Sequence, residues 1–146
     1  MKNKSSTGNL GHEMYSSKNR SVLIVDDDSE IRAVLKDLIT SVSMQEKGAK
    51  IEVDFASNGL DGMKKMWVKT YGLLISDYVM PKLDGNNMLE TLKRLHANNL
   101  PENILVISGY HDKLKELKKN NDKLITMEKP FRPDDIKNLI LSIFYI

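Results

Sequence analysis

Apolar positions along the chain follow two alternating rhythms. Val22-Leu23-Ile24-Val25, Leu73-Leu74-Ile75, Ile104-Leu105-Val106-Ile107 and Leu124-Ile125-Thr126-Met127 are short, nearly unbroken runs with the length of buried strands. Between them, apolar residues recur three or four apart. The sets are Ile31, Val34, Leu35, Leu38 and Ile39; Leu60, Met63, Met66 and Trp67; Met88, Leu89, Leu92 and Leu95; Leu114 and Leu117; and Ile136, Leu139, Ile140 and Ile143. That spacing lines one face of a helix. Ile51-Glu52-Val53-Asp54-Phe55 alternates instead, as a half-exposed strand near a sheet edge does. Strand and helix thus take turns, which predicts an α/β domain with a mostly parallel sheet.

Punctuation supports these elements. Ser29 is placed to cap the first helix, and residues 40–50 read as its end plus a loop. Asn58-Gly59 opens the second helix, Pro81-Lys82-Leu83-Asp84-Gly85 is a strong turn, and Pro133 suits a first helical turn. No internal repeat and no second domain is visible, and the chain ends with its last helix.

Each strand run leads into a polar signature. The first ends in Asp26-Asp27-Asp28, the third in Ser76-Asp77, the fourth in Ser108-Gly109, and the fifth leads to Lys129-Pro130. In a parallel sheet these residues share one edge, the edge where open α/β sheets bind ligands. Any single acid there could simply cap a helix or start a turn, and that reading suits Asp28 best. The ordered set says more. Asp26, Asp27 and Asp77 would crowd like charges and call for a cation, and oxygen ligands favour Mg2+ or Mn2+ over zinc. Asp77, after the central strand, is placed as a nucleophilic carboxylate. Lys129, unless an ordinary surface lysine, and the Ser108 hydroxyl could meet phosphoryl oxygens. A cis Lys129-Pro130 bond would aim the ammonium inward.

Composition narrows the field. The 146 residues suit one domain. No run is long enough to span a bilayer, so no membrane role is expected. Cysteine is absent, which removes disulfides and thiolate metal sites and permits a cytoplasmic setting. The net charge of +2 arises in residues 1–20, where Lys2, Lys4, Lys18 and Arg20 face only Glu13. That segment reads as a flexible polar tail, and the folded body at 21–146 is left slightly acidic, which gives direct nucleic-acid binding no support.

Taken together, Val22-Leu23-Ile24-Val25-Asp26-Asp27, the stretch from Ile75-Ser76-Asp77-Tyr78-Val79-Met80-Pro81 to Gly85, Ile107-Ser108-Gly109 and Glu128-Lys129-Pro130-Phe131 resemble a response-regulator receiver domain of two-component signalling. The resemblance covers roughly residues 20–146. It implies a doubly wound (βα)5 sandwich with strand order 2-1-3-4-5. It also implies that Asp77 accepts phosphoryl from the phosphohistidine of a sensor histidine kinase or histidine phosphotransfer protein. Asp27, Asp77 and the Val79 carbonyl would bind Mg2+ directly, and Asp26 through water. Lys129 would pair with phosphoryl oxygens, Ser108 would swing towards them, and Pro81 and Gly85 would shape the acceptor loop. Output to a downstream protein would use the face of the fourth helix, fifth strand and fifth helix. The only catalysis implied is the domain's own phosphoryl transfer and dephosphorylation.

Three features depart from the family pattern. Thr126 stands where an aromatic residue usually completes the switch, the helix after Ser108 looks compact, and Arg132 is a poor helix cap. Charges at Lys113, Lys115, Lys118, Lys119 and Lys123 alternate with Asp112, Glu116 and Asp122, which ordinarily means a solvated surface. The ending at 139–146 holds more apolar residues than one helical face needs, so a partner or a second copy could cover the excess. Two alternatives stand. One is a degenerate receiver that binds partners without being phosphorylated. The other is a haloacid-dehalogenase-type phosphatase with Asp26 as nucleophile and Asp28 as acid, although Glu30 stands where Thr or Val is expected there and Asp77 is left without a role.

Overall fold

β1 (Ser21–Val25) is buried along its whole length, as a strand flanked on both edges and covered on both faces must be. The computed structural model describes residues 19–48, 50–78, 90, 100–120 and 123–145. In it β1 pairs with β2 (Glu52–Ala56) on one side and β3 (Leu73–Asp77) on the other, and β4 (Asn103–Ser108) and β5 (Ile125–Glu128) follow beyond β3. All pairings are parallel and the order is β2-β1-β3-β4-β5, the order the resemblance implies. The alternating strand, β2, is one edge, and its residues are mostly half-exposed.

Period-two alternation along the strands divides the core. Leu23, Val25, Leu74 and Val106 point to one face, where Met66 of α2 (Gly59–Val68) and Leu114 of α3 (His111–Asn120) cover them. Val22, Ile24, Leu73, Ile75, Leu105 and Ile107 point to the other, under Leu35, Ile39 and Val42 of α1 (Ser29–Gln45) and Ile136, Ile140 and Phe144 of α4 (Pro133–Phe144). A run apolar on both sides is thereby explained by helices on both sides. The helix expected from Met88, Leu89, Leu92 and Leu95, the Pro81–Gly85 turn and residues 1–18 lie outside the described residues.

The helix ends correct the sequence reading at Ser29 and bear out capping as the reading for Asp28. Asp28, not Ser29, caps α1, its carboxylate accepting from the Glu30 N–H at 2.9 Å. Ser29 is already the first helical residue. The charged acceptor and its extended backbone make Asp28 the better cap. α1 ends at Gln45, within the stretch read as helix end plus loop, and Val42 carries its buried stripe into that last turn. Asn58 caps α2 by accepting from the Asp61 N–H, as expected. Arg132 precedes α4 without a capping hydrogen bond, and Pro133 follows it at the start of the helix.

At the sheet edge opposite the strands' carboxyl ends, the chain before β1 lies against the α2–β3 connection. Asn19 donates its amide to the Thr70 carbonyl at 2.7 Å, and Asn103 donates to that of Gly72 at 3.0 Å. A Cβ on Gly72 would stand 1.9 Å from the Asn19 carbonyl oxygen, so only glycine fits there. The apolar excess of the last helix is partly absorbed here, since Leu139, Leu141, Ile143 and Tyr145 pack against the α1–α4 core. Among the described residues no helix is long and apolar enough to cross a membrane.

Leu74, fully buried on the central strand, gives a direct test of this packing. Leu74→Ala is expected to cost about 2–5 kcal/mol in urea unfolding. Val68→Ala, on a residue that is 82% exposed, should stay within about 0.5 kcal/mol of the parent.

Candidate functional site

Strand order and register bring the polar signatures together. β1 and β3 are neighbours, so the residues following Val25 and ending β3 emerge side by side. The Asp26 N–H extends β1 by donating to the Ala56 carbonyl at 3.1 Å. The chain then turns tightly, and the Asp28 N–H donates to the Asp26 carboxylate at 2.9 Å. One carboxylate is thereby held inward and only 3% of the residue is exposed, while the next, Asp27, faces solvent. Asp77 closes β3, and the Tyr78 N–H reaches the Ile107 carbonyl at 3.2 Å. Carboxylate oxygens of Asp26, Asp27 and Asp77 lie within 4.8 Å of one another, a spacing able to hold a hard cation.

Lys129 arrives from the far side of the sheet. Its N–H continues the β5 ladder by donating to the Ser108 carbonyl at 2.9 Å, and the Lys129–Pro130 bond that follows is cis. The ammonium sits 3.4 Å from an Asp77 oxygen and 3.6 Å from an Asp26 oxygen, so it is not an ordinary surface lysine. Ser108 ends β4 and is buried, its hydroxyl oxygen accepting from the Tyr110 N–H at 3.0 Å. Val79 lies outside the described residues. The structure therefore gathers Asp26, Asp27, Asp77 and Lys129 into one cluster, with Ser108 on the adjoining strand end.

Burial is the main influence on Asp26 and raises its proton affinity. Its hydrogen bond from the Asp28 N–H and the nearby Lys129 charge act the other way, and the Asp77 and Asp27 carboxylates add to the rise. The site is thus short of positive charge. A divalent cation would supply it, and an incoming anionic phosphoryl group would then meet both that cation and the Lys129 ammonium.

Arg32 is a residue that sequence reasoning missed. Its guanidinium donates to the Asp26 main-chain carbonyl at 2.6 Å, which ties the acidic turn to α1. A signal existed: an Arg in the opening turns of a helix runs against the helix dipole, so it should have a local partner. On the other side of the site, the Lys113 ammonium lies 5.9 Å from the Tyr78 ring centre and 5.7 Å from that of Tyr110. Asp28, whose carboxylate caps α1, is committed elsewhere.

Comparison with known proteins agrees with this architecture. The family model described as the response regulator receiver domain matches residues 22–141. A Rhizobium etli protein named "Probable chemotaxis protein CheY" is 30% identical over 128 residues, covering 84% of this chain and 91% of that protein. A Bacillus subtilis protein named "Probable C4-dicarboxylate response regulator DctR" is 32% identical over 120 residues, 82% of this chain but 50% of its own length. Among solved structures, the receiver domain of the Francisella response regulator 1452 superposes with a TM-score of 0.65 at 25% identity, covering 86% of this chain and 97% of that one. A response regulator receiver domain protein from Clostridium thermocellum shares the fold, with a TM-score of 0.67 at 21% identity over 85% of this chain and 93% of that one.

Because burial raises the Asp26 carboxyl above its ordinary value, its ionised form opposes folding. The stability it allows is fully present below the unfolded value and falls as pH rises through the folded one. Asp26→Asn should therefore stabilise the metal-free protein at pH 7, with the gain shrinking towards pH 3. Thermal melts across that range in a chelator will read it.

Proposed function

The chain belongs to the response regulator receiver-domain family, and from that premise we propose that it is a phosphorylation switch with Asp77 as the phosphoryl acceptor. Receiver domains bind Mg2+ through an acidic pocket and interact with sensor histidine kinases and downstream effectors. The observation that carries the reading is the Lys129 ammonium set between Asp26 and Asp77, beside three carboxylates within 4.8 Å of one another.

In the proposed reaction an Asp77 carboxylate oxygen attacks the phosphorus of a phosphohistidine. The new O–P bond forms as the N–P bond breaks, and the imidazole leaves with the electron pair and takes up a proton. Asp27, Asp77 and the Val79 carbonyl would hold Mg2+ directly, with Asp26 acting through water; Mn2+ suits the same oxygen ligands. When bound, the ion supplies positive charge to the phosphoryl oxygens. Lys129 adds a second positive charge, and the low solvent access around Asp26 strengthens both. Ser108 turns its hydroxyl from the Tyr110 N–H to donate to a phosphoryl oxygen, releasing the loop that begins α3. Water attacking the same phosphorus later returns the carboxylate.

Residues 21–146 would form the receiver and residues 1–20 a flexible tail. The setting is cytoplasmic, beside the phosphohistidine donor, and the only chemistry is the domain's own phosphorylation and dephosphorylation. Output would leave through α3, β5 and α4 to a downstream protein, and a second copy bound on phosphorylation is a further candidate partner. The half-buried Thr126 on β5 cannot fill space as a ring would, so loop movement after Ser108 carries the signal. The phosphatase alternative loses its acid, since Asp28 would have to abandon the α1 cap.

Intact mass after incubation with acetyl phosphate and Mg2+ should show one added phosphoryl group, absent in Asp77→Asn and absent after chelation. Lys129→Ala should slow labelling by about 10²-fold. Label on Asp26 instead would turn the reading to a phosphatase. No label from acetyl phosphate or from a phosphohistidine donor would leave a binding module.

A further inference from the structure

Asp27 carries the exposed carboxylate of the acidic cluster, and the groups that set its direction belong to its neighbours. A side chain leaves its Cα in a direction set by the two peptide planes on either side, because each peptide unit is planar. The plane before Asp27 contains the Asp26 carbonyl, and the Arg32 guanidinium donates to that carbonyl at 2.6 Å. The plane after it contains the Asp28 N–H, which donates to the Asp26 carboxylate at 2.9 Å. Both flanking planes are therefore anchored.

Of these two anchors, Arg32 is the one that comes from outside the turn. It is half-buried and sits in the first turn of α1, where its own N–H donates to the Asp28 carbonyl at 3.1 Å. Asp26 is thereby held at three polar groups. Its N–H donates to the Ala56 carbonyl at 3.1 Å, its carboxylate accepts from Asp28, and its carbonyl accepts from Arg32. A guanidinium in the opening turn of a helix is opposed by the helix dipole, and the carbonyl it meets offsets that cost. Charge alone gives Arg32 no way to favour a cation, since like charges repel. Its contribution is geometric.

We propose that Arg32 is a positioning residue for the divalent cation: by fixing the Asp26–Asp27 peptide plane it holds the Asp27 carboxylate towards those of Asp26 and Asp77. The inference rests on the proposed cation site and adds to it a residue that acts through the main chain. Mg2+ demands near-ideal octahedral oxygens, whereas Ca2+ accepts looser arrangements. A loosened peptide plane therefore penalises Mg2+ more than Ca2+.

Thermal melts of the full chain over a range of Mg2+ and of Ca2+ concentrations give each ion's affinity through linkage, and the ion-free melt checks folding. Arg32→Met keeps an unbranched apolar stem and removes the donor. Its Mg2+ dissociation constant should rise about tenfold or more, with a smaller rise for Ca2+. Arg32→Lys, which keeps a donor, should recover part of the loss. Arg32→Gln, neutral and shorter, makes the same comparison should Arg32→Met fail to fold. The sign of the change decides. If charge were all that Arg32 supplied, its removal would tighten both ions, so tighter or unchanged Mg2+ binding in the neutral variant overturns the proposal. Equal losses for both ions also overturn it and leave Arg32 a general support of the turn. A parent that takes up no Mg2+ removes the cation reading and this one together. A parent that binds Mg2+ no better than Arg32→Met removes this one alone.

Discussion

A carboxylate held out of water beside two others needs positive charge, and much of this protein's chemistry follows from that need. Asp26 is buried because the turn after β1 folds its side chain back under the Asp28 N–H. Coulomb attraction strengthens as water is excluded, so Lys129, within 4 Å of Asp26 and Asp77, acts where its charge counts most. Its ammonium alone does not offset three acids. The remaining deficit is one that a divalent cation would offset.

The sheet turns this electrostatic need into geometry. Parallel pairing puts the carboxyl ends of β1, β3, β4 and β5 along one edge. Helices on both faces bury β1 and most of β3 beneath that edge. Phe144 and Ile140 of α4 support the face beneath β1 and β3, while Leu114 of α3 supports the other. The loop after Ser108 leads directly into α3, an element whose lysines line a groove beside β5.

Much of this was legible in the residue order. Apolar runs bounded by Asp77, Ser108 and Lys129 named the strands and the polar residues that end them, because a buried strand requires apolar residues on both faces. Local ends were harder. Asp28 and Ser29 are both good caps, and choosing between them depends on where the chain bends, a difference of one residue. Arg32 was overlooked because its partner is a main-chain carbonyl, and carbonyls have no signature in a sequence.

By itself, then, the sequence determined the alternation of strand and helix, the family, and the identity of the acids, hydroxyl and lysine at the strand ends. These are properties of local pattern, set by which side chains can be buried and which cannot. Tertiary structure decided that Asp26 is buried while its neighbour Asp27 is exposed. It decided that Lys129, more than fifty residues from Asp77 in the chain, lies 3.4 Å from it. It also decided that, of the mixed charges on α3, Lys115, Lys118 and Lys119 line one groove beside β5. Burial, distance and the sorting of charge depend on which elements become neighbours, and that is settled only when the sheet closes its order and the helices pack on its two faces.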